Sequence, residues 1–176
     1  LVMGAGAVGS YLAALLHRGG YDVTLVARGE HAESISRNGL RVEEKGQEPF
    51  VIKPGIVHHP SEASIPQIVL FCVKGYHNGQ AIKDLDPAMG PMTKVLTLQN
   101  GIGSGDQLAK AFGHDRVMLG AIYTELERKA PGIVAHYGDV CRIVMGEMDG
   151  TFTAVASTLQ KCFTTSGVPT DITSDI

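Results

Sequence analysis

The chain has no surplus of either charge. Fifteen Lys and Arg oppose 18 Asp and Glu across 176 residues, and no long run of one sign occurs. A basic footprint for nucleic acid is therefore missing. No apolar run approaches the roughly 20 residues that a bilayer-spanning helix needs, so no membrane segment is expected. Cysteine is scarce, scattered and odd in number: Cys72, Cys141 and Cys162. These read as reduced thiols of a cytosolic protein, packed as small hydrophobes, and not as a disulfide framework. No His-x-x-x-His or Cys-x-x-Cys spacing occurs among the seven histidines and three cysteines. His58 and His59 are adjacent and on a strand point to opposite faces, so no metal site is expected. Ser10, Ser104 and Ser166 lie near glycines, yet none sits in a nucleophile elbow. Glu125 and Glu127 would share one face of a strand, and they read as a solvated face and not as a catalytic pair. No repeat or low-complexity linker interrupts the chain.

What the sequence does have is glycine at its start, in "LVMGAGAVGS". Leu1 to Met3 read as the end of a strand whose first residues lie upstream. Val8, Leu12, Leu15 and Leu16 then fall at helical spacing, and Gly19-Gly20 makes a stop. "YDVTLVAR" follows as a near-continuous apolar strand of the kind buried in a parallel sheet. Residues 1–28 thus predict one βαβ unit. Further along, "EHAESISRNG" predicts a short helix ending at Gly39. "LRVEE" and "PFVIKP" predict a hairpin around "KGQE". "IVLFCV", "KVLTLQ" and "VMLGAIY" read as strands. "HNGQAIKDLDPAMG" carries a weak helical pattern, and a helix is expected over residues 106–112. "PGIVAHYGD" and "CRIVMGE" read as two strands of an antiparallel excursion. A late helix is expected in "TFTAVASTLQKCFTTSG", with Phe152, Val155, Ala156, Leu159, Cys162 and Phe163 on one stripe. "VPTDIT" ends the pattern as a short strand. The alternation predicts an α/β, doubly wound, mainly parallel sheet with helices on both faces.

Gly4-x-Gly6-x-x-Gly9 has the spacing of a dinucleotide-binding turn. Gly4 permits the tight turn out of the strand. Gly6 lets the backbone approach a pyrophosphate, and Gly9 lets the helix pack closely. The loop Gly4, Ala5, Gly6, Ala7, Val8, Gly9 is the candidate phosphate cradle, with the free N–H groups of the helix start aimed at the anion. The second strand ends at Arg28, not at the acid expected of an NAD-selective site. Its guanidinium suits a ribose 2′-phosphate. The alternatives are a solvated arginine at a strand end, and Glu30, two residues on, facing a ribose.

"GAGAVGS", "VKGYH" after the strand "IVLFCV", and "TLQNGIG" after "KVL" together resemble the ketopantoate reductases (2-dehydropantoate 2-reductases). "APGIVAHYGD…IVMGE" is also similar to that family. The resemblance runs over nearly the whole chain and covers the family's N-terminal half. It implies a Rossmann-type domain binding NADPH over residues 1–167. Residues 168–176 then hold the last strand and lead toward a C-terminal helical domain that this chain lacks. It implies that Lys74 touches cofactor near the substrate. Asn100 then binds the nicotinamide ribose region and orients substrate, and Arg28 selects NADPH. His77 falls near a polar cofactor contact of some members. Either Leu126 or Glu125 sits where the family makes a backbone contact near the nicotinamide. The family's general acid is a lysine of the C-terminal domain, expected beyond Ile176. The implied activity is NADPH-dependent reduction of 2-dehydropantoate to (R)-pantoate, in pantothenate and coenzyme A synthesis, in the cytoplasm. A small 2-oxo acid is the implied partner, without nucleic acid or membrane, and a homodimer is left open. Two other readings stand beside this one: a related 2-oxo acid dehydrogenase, and an NADPH-sensing module without turnover.

Overall fold

The computed structural model describes residues 1–101 and 103–176. The opening is the expected βαβ unit: β1 (Val2–Met3), α1 (Ala7–Arg18) and β2 (Thr24–Val26), with the two strands parallel. There follow α2 (Gly29–Asn38), β3 (Leu40–Glu44), β4 (Phe50–Ile52), β5 (Gly55–Val57) and β6 (Ile68–Phe71). The middle of the chain gives α3 (Asn78–Leu85), β7 (Lys94–Thr97), α4 (Ser104–Phe112) and β8 (Val117–Tyr123). The chain closes with β9 (Leu126–Ala130), β10 (Ile133–His136), β11 (Arg142–Glu147), α5 (Ala154–Thr165) and β12 (Thr170–Ile172).

The main sheet has eight strands in the order β12-β11-β8-β7-β6-β1-β2-β5. All neighbours from β5 across to β8 are parallel, and β11 pairs antiparallel with β8. β12 then pairs parallel with β11. Two-residue alternation places side chains on two faces. Val2, Leu70, Leu96 and Met118 join one core with α1 and α5 residues such as Leu12, Leu15, Leu159 and Phe163. Met3, Val69, Phe71, Val95 and Val117 join another with Ala81 and Leu85 of α3 and Leu108 and Phe112 of α4. Both faces are covered, so these strands read as continuous apolar runs and not as alternating ones.

A second, four-stranded sheet of order β4-β3-β10-β9 packs on the outer side of α1. Gly9 through Leu16 are consequently all buried, as befits a helix held between two sheets. The hairpin read from the sequence is β3–β4, with Leu40 opposite Ile52. The expected excursion needs correction. β10 and β11 do not pair with each other: β10 lies between β3 (parallel) and β9 (antiparallel), while β11 enters the main sheet. The two segments have strand composition, but β10 joins the strand just before it and β3 far upstream, and β11 returns to β8, so neither becomes the other's partner. The stripe on α5 is also narrower than expected. Thr153 caps the helix by accepting from the Ala156 amide, so Phe152 falls before its start and is 68% exposed. Ala156, Leu159 and Phe163 form the buried face. α4 begins at Ser104, two residues before the expected start.

Candidate functional site

The strand order reverses direction between β1 and β6: α1 carries the chain to β2 on one side, and β6 and β7 extend the other. Ligands of open α/β sheets bind in the crevice outside the C-terminal strand ends at such a point. The exits of β1, β2, β6 and β7 carry the Gly4–Gly9 turn, Arg28, Lys74 and Asn100, respectively.

The turn is fixed by sterics. Gly4 has φ +108°, and a β-carbon there would lie 2.9 Å from the Val73 nitrogen. A β-carbon at Gly9 would run into the Gly4 carbonyl and reach 3.2 Å from Val2 Cγ1, so α1 can approach β1 only with glycine there. Gly6 is different: nothing lies within 4 Å of its missing β-carbon. No side chain caps α1 at Gly6, and no acid stands in its first turn. The N–H groups at this helix start therefore face an open cradle, which fits an anion such as a phosphate.

Two contiguous cavities extend from the cradle. One, of about 340 Å³, is lined by Gly4, Ala5 and Gly6 with Arg28, Lys74, His77 and others. The other, of about 290 Å³, is lined by Gly6, Ala7 and Val8 with Lys74, Asn100 and Leu126. Gly6, Cys72, Val73 and Lys74 belong to both, so the groove runs from the β2 exit to the β7 exit. Gly4, Ala5, Gly6, Ala7, Val8, Arg28, Lys74 and Asn100 all border it, while Gly9 serves from beneath by close packing. Of the pair Leu126 and Glu125, Leu126 lines the groove. Glu30 is exposed in the first turn of α2 and does not line it. Residue 102, the variable position of the Asn-Gly-x-Gly motif, lies outside the described residues.

A polar network ties together the segments that lead into Lys74 and Asn100, which line one cavity. Gln99 Nε2 donates to the Val73 carbonyl at 2.6 Å and to Asn78 Oδ1 at 2.7 Å. Thr97 Oγ1 donates to Gln99 Oε1, and Asn78 Nδ2 donates to Ser104 Oγ, both at 3.2 Å. Val73 precedes Lys74 and Gln99 precedes Asn100, so two carboxamides, those of Gln99 and Asn78, tie the two strand exits to the starts of α3 and α4. Neither Gln99 nor Asn78 was singled out by the sequence. The "QNG" triplet draws the eye to Asn100 as the group facing outward.

Arg28 is not a free guanidinium. Its Nη2 donates to Asp84 Oδ2 at 2.8 Å and its Nε to the His58 carbonyl at 3.2 Å. The Arg28 guanidinium holds the Asp84 carboxyl below the usual carboxylate range. Gln80 Nε2 donates to Asp84 Oδ1 at 2.7 Å. Arg128 of β9 also lines this end of the groove, as does His31. His31 Nδ1 accepts from the Gly132 amide at 2.9 Å, so its Nε2 carries the proton and donates to Ser10 Oγ at 3.2 Å. Burial, reinforced by Arg128, lowers its pKa to about 4, which leaves it neutral. Ser10 is thus engaged by His31, Ser104 by Asn78, and Ser166 stands at the far end of α5. His58 Nδ1 and His59 Nδ1 turn apart, toward the Ala27 carbonyl and Ser61, respectively. Glu125 and Glu127 are exposed, and Glu127 accepts from the Tyr137 hydroxyl. Burial pushes the Cys72 thiol up to about 12 and the Cys141 thiol up as well, which keeps both protonated.

Residues 1–150 match the family described as "Ketopantoate reductase PanE/ApbA". The chain belongs to this family. Among ketopantoate reductase relatives, it is 32% identical to the 2-dehydropantoate 2-reductase of Halobacterium salinarum, over 99% of this chain and 57% of that protein. The crystal structure of 2-dehydropantoate 2-reductase from Geobacter metallireducens superposes with a TM-score of 0.91 at 33% identity, covering 98% of this chain and 57% of that one. The ternary structure of D-mandelate dehydrogenase with NADH and anilino(oxo)acetate superposes with a TM-score of 0.90 at 25% identity, covering 99% and 56%. The chain therefore spans a little over half the length of the relatives it matches.

Proposed function

We propose that this chain binds NADPH and forms the cofactor-holding part of a reductase that converts 2-dehydropantoate to (R)-pantoate, a step toward pantothenate and coenzyme A in the cytoplasm. The observation that carries the reading is the single groove joining the Gly6 cradle, Lys74 and Asn100 at the strand-order reversal. The bound nucleotide supplies hydride to the 2-oxo carbon. The residues of this chain bind and orient. The α1 amides hold a pyrophosphate. Arg28 engages a 2′-phosphate by charge-assisted bonds. The Lys74 ammonium offers a compact positive charge for a phosphate or the substrate carboxylate. The Asn100 carboxamide supplies a donor and an acceptor to ribose hydroxyls and substrate. Holding reactants in register is what such groups contribute to rate. The proton donor to the carbonyl oxygen is a lysine beyond Ile176, on a helical domain to which residues 168–176 lead.

Calorimetric titration of the chain tests this reading. NADPH binding is expected, weakened in Lys74→Ala and Asn100→Ala variants that keep the wild-type melting temperature. Arg28→Ala is expected to lose about 1.5–3 kcal/mol toward NADPH, the range for a hydrogen bond to a charged group, and little toward NADH. The chain alone is expected not to reduce 2-dehydropantoate, and turnover by it would refute the placement of the proton donor. The likeness to D-mandelate dehydrogenase favours a second reading, a reductase for another 2-oxo acid. A substrate panel with the complete protein separates the two.

A further inference from the structure

Among the described residues lining the larger cavity, Asp84 is the sole carboxylate. The other ionisable side chains there are Arg28, Lys74, Arg128, His31, His77 and the protonated thiol of Cys72. Asp84 stands on α3, not at the end of β2 where a ribose-binding acid is ordinarily sought. It reaches the same place in space. Its Oδ2 accepts from Arg28 at 2.8 Å, and its Oδ1 accepts from Gln80, one helical turn back, at 2.7 Å. His59 Nε2 stands 3.7 Å from Oδ1. The Asp84 side chain is 13% exposed, whereas that of Arg28 is 60% exposed. The carboxylate is thus pinned against the inner edge of a guanidinium whose outer edge is open.

We infer that Asp84 is a specificity-determining residue that limits the preference for NADPH over NADH. The inference rests on the nucleotide-binding reading above. A ribose 2′-phosphate brought to Arg28 also meets the Asp84 carboxylate, and like charges repel. Part of the guanidinium charge is already neutralised before the phosphate arrives. An unphosphorylated ribose offers hydroxyl donors instead, and a carboxylate is the acceptor that NADH sites use. Arg28 and Asp84 together therefore make an adenosine-ribose end that takes both nucleotides. Removing only the charge, by Asp84→Asn, frees Arg28 for the phosphate and withdraws the better acceptor from the hydroxyls.

The test measures dissociation constants of NADPH and NADH, by calorimetry or nucleotide fluorescence, for the wild-type chain, Asp84→Asn and Arg28→Ala. Melting temperatures without nucleotide control for folding. Wild type is expected to bind both nucleotides. Asp84→Asn is expected to raise the ratio of the NADH to the NADPH dissociation constant by about fivefold or more. That factor corresponds to about 1 kcal/mol, the interaction of two unit charges 4 Å apart in water. Arg28→Ala should lower the same ratio. Asp84→Ser removes the same charge in a smaller side chain and carries the same expectation if the asparagine variant does not fold. A ratio unchanged or lowered in a folded Asp84 variant that binds both nucleotides overturns the inference and leaves the nucleotide-binding reading intact. A wild-type chain that binds neither nucleotide overturns both.

Discussion

Three glycines open the chain, and the structure assigns two of them opposite duties, which a pair of alanine substitutions separates. At Gly9 the added methyl meets main chain on the neighbouring turn, the Gly4 carbonyl group with its carbon 3.2 Å away, and also the Val2 side chain, with Cγ1 at the same distance. No side-chain rotation relieves a clash between two backbones, so α1 must shift off β1. Overpacking of this kind costs about 3 kcal/mol at the upper end of its usual range. Alanine returns about 1 kcal/mol of helix propensity relative to glycine. A net loss of about 2 kcal/mol in a chain of this size lowers the melting temperature by roughly 4–8 °C. Gly6→Ala behaves otherwise. Gly6 has φ −76°, an ordinary value for any residue, and its methyl enters empty space. The melting temperature should fall by less than about 4 °C, since alanine is worse than glycine at an N-cap by up to about 1 kcal/mol. That space is the proposed pyrophosphate seat, so NADPH binding should weaken by at least about tenfold, or about 1.4 kcal/mol. Thermal denaturation followed by circular dichroism and calorimetric titration read the two effects independently. A Gly9→Ala protein as stable as wild type refutes the close-packing argument. A Gly6→Ala protein that binds NADPH normally refutes the cradle.

Two further outcomes follow from the polar groups around the groove. His31 is neutral when folded because burial lowers its pKa to about 4, below the value of about 6.5 it has when unfolded. The unfolded chain therefore takes up the proton first as pH falls. Stability is fully present above about pH 6.5 and declines toward pH 4, at up to about 1.4 kcal/mol per pH unit. Urea denaturation of wild type and His31→Gln at pH 7 and 4.5 checks this: the variant should lose less stability between the two pH values, and equal losses would exclude His31 as the source. Gln99→Leu leaves the Val73 carbonyl and Asn78 Oδ1 without their donor. It should destabilise the chain by about 1–3 kcal/mol and weaken NADPH binding through the two loops it releases, whereas unchanged binding would show that the loops need no such tie.

Much of this architecture was legible because its signals are local. The glycine spacing, the strand before it and the stripe on α1 lie within a few residues of one another, and Lys74 and Asn100 each follow an apolar run directly. The errors lie where local pattern says nothing about partners. Segments 133–136 and 142–147 are strands, as read, but β10 finds β3 some 90 residues away in sequence and β11 finds β8. β5 and β9 carry too little pattern to stand out: β5 is three residues long, and β9 is mostly charged and exposed. The same limit applied to the groove. Asp84 and Gln80 look like ordinary solvent-facing residues of an amphipathic helix, and Arg128 lies on the overlooked β9. Only the fold brings them to Arg28. His31 gave no signal either, since its partners are Ser10 on α1 and the Gly132 amide 101 residues on.

The central claim is that one groove, from Arg28 across Gly6 to Asn100, holds a nicotinamide nucleotide. Titrating isotope-labelled chain with NADPH and following backbone amide shifts tests it most directly. The account predicts saturable shifts at Gly6, Ala7, Val8, Lys74 and Asn100, with the α4–β8 turn at residues 113–116, beyond the opposite ends of the strands, unmoved. Saturable shifts confined to that opposite edge, or none at any concentration, would contradict it.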